Sequence, residues 1–206
     1  HIEFENIAIS DSEGNAEMRY IPRNEIESGK VKFRLENQPY LLKEHWAGGL
    51  GSLYENKNNL GCPELKEFEK KVIVQTKTFD YLIEKYDVTK YKNVVIQTDC
   101  EGHDLVLLRN FPFEKIIPKI YISEIVSEID YPKSHPYYGK DISLYSKKEY
   151  QEALDIFREN DYKLFQENDL IAVLNSDLVD TSHFPKSLKE RSIRKLKKLI
   201  NKFKNE

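Results

Sequence analysis

The chain has 206 residues, long enough for one domain with a sizeable core. Hydrophobic residues make up 39% and aromatics 12%, too much for a disordered chain, and no stretch nears the roughly 20 apolar residues of a membrane span. The net charge of −3 is unevenly spread: residues 186–206 carry nine Lys or Arg against two Glu, which leaves −10 on the rest and makes that body a poor nucleic-acid binder.

The two cysteines, Cys62 and Cys100, match neither a disulfide framework nor a zinc site, so a reducing, cytoplasmic setting is expected. Ile2 to Ile9 alternates roughly between apolar and polar residues and reads as a strand. Asp11-Ser-Glu-Gly14 gives a turn, and Ala16 to Ile21 reads as a second strand paired to the first. Pro22 cannot donate to a ladder and stops it. Residues 23–67 read as irregular, with Gly48-Gly49-Leu50-Gly51-Ser52 at their centre. Val72 to Thr76 is the next strand. Thr78 then caps a helix whose Phe79, Leu82, Ile83 and Tyr86 share one face.

The run Val94-Val-Ile-Gln-Thr-Asp-Cys-Glu-Gly-His-Asp104 carries the densest chemistry. A short apolar strand, Val94 to Ile96, ends in Asp99, Glu101, His103 and Asp104 around Gly102, and Leu105 to Leu108 then begin a helix. In an open α/β sheet, ligands bind beyond the carboxyl ends of strands. Acids in a first helical turn are also favoured by the helix dipole, at about 0.3–1 kcal/mol each, and this alone accounts equally well for Glu101 or Asp104. Asp99 precedes the helix and stands at the strand tip, so it is the stronger functional candidate.

Lys119 to Ile125 reads as another strand, with Glu124 near its end. Ser146 and Glu149 form a capping box for a helix buried through Tyr150, Ala153, Leu154 and Phe157 and stopped at Asn160. Tyr162 to Phe165 and Leu170 to Leu174 read as a closing antiparallel hairpin. From residue 72 onward strands and helices alternate, so the class is α/β. Residues 1–180 form the domain. The remaining 181–206 read as a basic amphipathic helix or linker, with Leu188, Ile193, Leu196, Ile200 and Phe203 as its apolar stripe. Such a face suits a peripheral membrane contact or a neighbouring domain.

Four motifs in this order resemble the FkbM-type methyltransferases. They are Asn6 to Gly14, Asp99-x-Glu-Gly-x-Asp104, Pro118 to Glu124 and Asn168 to Val173, with Trp46 and Gly51-Ser52-Leu53 similar to that family's substrate-side insertion. The resemblance covers about residues 2–175. It implies a Rossmann-like methyltransferase sheet, mostly parallel with a closing antiparallel hairpin, and S-adenosylmethionine as cofactor. The activity implied is methylation of a hydroxyl on a small acceptor, with a sugar of a surface polysaccharide as the leading choice. The family's first strand with its glycine-containing loop, and the acid ending its second strand, do not appear in this sequence. The first two βα units are therefore expected to be missing. A chain that opens at His1 reads as part of a larger polypeptide, with a rearranged domain that no longer binds the cofactor as the alternative.

By the resemblance, Ala8, Ile9 and Ser10 lie near the adenine and Asp99 beside the sulfonium. Removing the acceptor's proton calls for a carboxylate or imidazole within hydrogen-bond reach; Asp99 and His103 are the candidates, with Glu101 orienting whichever acts. His45, Trp46, Ser52 and Glu124 are assigned to the acceptor, Trp46 as a stacking face or equally as a buried loop anchor. A divalent ion held by Asp99, Glu101 and Glu124 is an alternative, but acids alone do not demand one, and no metal is expected. Cys100 reads as a packing residue. Two rival functions are a non-catalytic remnant that binds protein or glycan, and a hydrolase using Asp99 and Glu124 across a sugar.

Overall fold

A computed structural model describes residues 2–27, 51–53, 63–125, 145–166 and 169–175. In chain order these form β1 (Ala8–Ile9), β2 (Gly14–Tyr20), α1 (Arg23–Glu27), β3 (Lys70–Lys77), α2 (Phe79–Lys85), β4 (Val95–Thr98), α3 (Asp104–Arg109), β5 (Ile120–Ser123), α4 (Lys147–Glu159), β6 (Tyr162–Gln166) and β7 (Leu170–Leu174). Short 3-10 turns occupy Pro63–Phe68 and Val88–Lys90.

The mixed α/β class holds, but the described strands form two sheets rather than one. The first has the order β1-β3-β2 and the second β4-β5-β7-β6. Two of their five pairings are parallel, β1 with β3 and β4 with β5, and the other three are antiparallel, so the expectation of a mostly parallel sheet is corrected. Among the described residues β1 and β4 are edge strands.

The expected pairing of the first two strands is also corrected. Ala8 of β1 and Gly14 of β2 both face Thr76, so β3 lies between them. Alternation of apolar residues marks a strand without naming its partner. Four residues separate β1 from β2, few enough for a hairpin, yet a strand more than fifty residues later takes both edges. The first strand is shorter than expected, covering Ala8–Ile9 instead of Ile2 to Ile9. Helix α1 and the turn at Pro63–Phe68 lie inside the segment expected to be irregular.

Local signals were more reliable. Thr78 Oγ1 accepts a bond from Tyr81 N at the start of α2. Both halves of the Ser146–Glu149 capping box form, and Asn160 is the C-cap of α4. The closing hairpin pairs Tyr162 with Leu174 through Gln166 with Leu170. Ala153 and Phe157 are fully buried, with Tyr150 and Leu154 packed beside them.

The core lies against the second sheet. Leu105, Leu107 and Leu108 of α3 and Phe79 and Ile83 of α2 meet Tyr121 of β5, Phe157 of α4 and Leu170 and Ala172 of β7. A run of edge-to-face rings threads it, Phe79–Phe111–Tyr121–Phe157–Tyr162, with centroids 4.8, 5.4, 5.3 and 5.7 Å apart. Such pairs contribute about 0.5–1.5 kcal/mol each beyond their buried area. This packing fixes β4, β5 and α3, the elements that carry the acidic cluster.

A candidate acidic site at the tips of two parallel strands

β4 and β5 run parallel with Thr98 opposite Ser123. The next residue on each strand is an acid, so the register alone sets Asp99 beside Glu124 at the common C-terminal edge. Asp99 is exposed and Glu124 half-buried, and one carboxylate oxygen of each lies within 4.8 Å of the other.

Glu101 joins them through a reversal of the backbone. His103 N donates to Cys100 O at 3.2 Å, closing a turn whose central residues, Glu101 and Gly102, both have positive φ, +48° and +94°. This is the dihedral pattern of a type I′ turn, in which glycine is at ease and glutamate is strained. Two bonds hold it there. Ser52 Oγ donates to Glu101 O at 2.9 Å, and Cys100 N donates to Asp104 Oδ2 at 3.1 Å. The outcome is a buried Glu101 side chain turned toward the strand tips. One carboxylate oxygen each of Asp99, Glu101 and Glu124 lie within 4.8 Å of one another.

Three carboxyls this close cannot all ionise freely. Burial, then Asp99, then Asp104 raise Glu101 to about 7. Burial followed by Glu101 and Asp99 raises Glu124 to about 8. Asp99 also lies above the usual carboxylate range, by desolvation and the Asp104 carboxyl. Cys100, half-buried against the core, is pushed up to about 12 mainly by burial, so it is a packing residue and not a thiolate.

His103 stands on the other side of the turn. Its Nε2 is 3.1 Å from Ser10 Oγ, and Ser10 donates its single proton to Asp11 Oδ1 at 3.1 Å. Nε2–H is therefore the donor to Ser10, and Nδ1 is the basic nitrogen. Burial lowers the pKa of His103 below its ordinary value against the opposing pull of Asp11 and Asp104, which favours the neutral ring.

The structure thus gathers Asp99, Glu101 and Glu124 in one cluster and His103 with Ser10 in a second, joined by the same turn. Ser52, assigned above to the acceptor, is 1% exposed and bonded to the Glu101 carbonyl, and its backbone bridges to Arg19 of β2. That position makes it a clamp on the turn. Ser10, assigned above to the adenine, has both donors committed, its N to Lys77 O and its hydroxyl to Asp11. Ala8 and Ile9 are half-buried in β1, with Ile9 packed on the core. His45, Trp46, Cys62, Asn168 and the tail 181–206 lie outside the described residues.

Tyr145 escaped sequence reasoning, and Asp104 was singled out there without a role. Asp104 is fully buried and also accepts from Tyr145 OH at 3.5 Å, so it is the inner support of the turn. Its placement four residues after Cys100 at a helix start was the available signal. Tyr145 precedes a capping box, the position where a residue packs back onto its helix, but nothing local ties it to Asp104.

An α/β domain with acids at adjacent strand tips defines a class in which the carboxyl edge of the sheet is the working face. The sequence pattern of the Methyltransferase FkbM domain matches residues 2–164. The chain belongs to that family, and the earlier resemblance is correct. No curated protein and no solved structure matches it significantly. Among the described residues no helix is long and apolar enough to cross a membrane.

Proposed function

We propose that this methyltransferase domain is S-adenosylmethionine-dependent and methylates a hydroxyl oxygen, with a sugar hydroxyl as the acceptor class. The observation that carries the reading is the exposed Asp99 at the tip of β4, with the carboxylates of Glu124 and Glu101 within 4.8 Å of it.

The chemistry of this donor set fits one end of the cofactor. A cluster of carboxyls favours a positive sulfonium nearby, and when bound the cofactor supplies an electrophilic methyl group. Asp99 is the residue at that end, and Ala8 and Ile9 at the end of β1 are the assignments for the adenine. The remaining work belongs to side chains of the chain itself. As the acceptor oxygen forms its bond to the methyl carbon, the carbon–sulfur bond would break with S-adenosylhomocysteine as the leaving group, and Asp99 would receive the hydroxyl proton. Glu124 and Glu101, whose carboxyl oxygens lie within 4.8 Å of that of Asp99, shape the field around it. His103, 6% exposed, is buried away from solvent and acts as a positioning residue through Ser10.

The test is transfer of an isotopically labelled methyl group from S-adenosylmethionine to a panel of free and nucleotide-linked sugars. Label on a sugar oxygen, lost in Asp99→Asn, supports the reading. Label on a nitrogen or carbon acceptor, or undiminished transfer by Asp99→Asn, overturns it.

A further inference from the structure

We infer that Asp99, Glu101 and Glu124 form a binding site for one hard divalent cation of the magnesium, manganese or calcium class. One oxygen from each lies within 4.8 Å of the others. Ligands facing each other across an ion of this class, at the usual metal–oxygen distances, stand about 4–5 Å apart. The cluster therefore has the dimensions of a first coordination sphere without backbone movement.

A cluster of acids on a surface means little, and this one differs in two respects. Glu101 is 9% exposed, its carboxylate faces Asp99 and Glu124, and its Oε2 is buried with no hydrogen-bond partner. Glu124 Oε2 is in the same condition. Buried acceptors in native proteins are nearly always satisfied, and an exception calls for an ion or water. Moreover, no Lys or Arg among the described residues forms an ion pair with any of the three, although ten such pairs occur elsewhere in the described chain. Acidic groups are concentrated here, and among the described residues no cationic side chain is paired with them.

The ligand chemistry selects the ion. Three carboxylates and no imidazole or thiolate favour a hard cation over zinc or copper. His103 Nε2 faces Ser10, and Cys100 packs against the core outside the cluster. Three protein ligands leave coordination positions for water or, if the proposed O-methyl transfer holds, for acceptor hydroxyls; the cation site itself does not rest on that transfer.

The experiment is calorimetric titration of the chelator-stripped, full chain with MnCl2, MgCl2 and CaCl2 separately, without methyl donor or acceptor, alongside thermal melts. One saturable site is expected in the wild type, with a rise in Tm on adding the ion. In Glu101→Gln/Glu124→Gln both effects should vanish, while the variant melts at or above the wild-type temperature in chelator because like-charge repulsion is gone. That last melt shows that the variant is folded. No saturable binding of any of the three ions by the wild type overturns the site, as does equal binding by the double variant. Since neither donor nor acceptor is present, failure here leaves the transfer reading standing. Absence of methyl transfer would likewise leave a positive isotherm valid.

Discussion

Ser10 Oγ and His103 Nε2 lie 3.1 Å apart across 93 positions of sequence, joining the end of the first strand to the N-terminus of α3. This bond connects the three-stranded sheet to the turn that carries Glu101. Ser52 makes a second connection on the same turn, from the β2 side. Each buried bond of this kind stabilises by about 0.5–1.5 kcal/mol. Ser10→Ala and Ser52→Ala are therefore each expected to lower stability by about 1 kcal/mol in urea melts. Ser52→Ala should in addition speed amide exchange at Gly102 and His103, because it frees the strained Glu101.

Asp99→Asn should reduce methyl transfer by about 10²–10⁴-fold, the usual contribution of a general base. The amide keeps the shape of the carboxylate and loses its charge and basicity. Cofactor affinity should change much less. The comparison is turnover against the cofactor dissociation constant for wild type, Asp99→Asn and His103→Ala. Near-normal turnover in Asp99→Asn with a dead His103→Ala would move the base to His103.

Asp104→Ala should destabilise the fold by about 1–3 kcal/mol, since it strips the buried Cys100 N–H and the Tyr145 hydroxyl of one acceptor. Tyr145→Phe alone should cost less, and the double variant should cost less than the sum, because both changes remove the same bond. Chemical denaturation of the four proteins in the cycle measures this. Strict additivity would show that the 3.5 Å contact contributes nothing.

Stability in chelator should fall as pH rises from about 6.5 to 8. Glu101 and Glu124 have folded pKa values of about 7 and about 8 against an ordinary 4.5. A raised value means that the folded state holds its protons more tightly. That stability is fully present below 4.5 and is lost as pH climbs through the folded values. His103 is shifted the other way: its contribution is present above 6.5 and is lost as pH falls below that. The carboxyl effect is thus isolated above 6.5. Differential scanning calorimetry should show a flatter pH dependence for Glu101→Gln and Glu124→Gln than for wild type, and parallel curves would refute the assignment.

Much of the molecule was fixed by short-range signals. The capping box at Ser146 and Glu149, the Thr78 cap and the apolar stripe of α4 depend on residues within one or two helical turns, so the sequence specifies them directly. The closing hairpin and the strand-to-helix passage at Asp99 were legible for the same reason, and so were the family and three acids of the site. Tertiary structure decided what lies at long range. The insertion of β3 between β1 and β2, and the division into two sheets, depend on which distant edge each strand finds, and period-two alternation is silent on partners. The gathering of Asp99 with Glu124 follows from a parallel register between strands 25 residues apart. The positive φ of Glu101 and the burial of Asp104 are imposed by Ser52, Cys100 and Tyr145, each a tertiary or turn contact. Residue identity placed acids near a strand end. Only packing could bring an oxygen from each of three within 4.8 Å of one another.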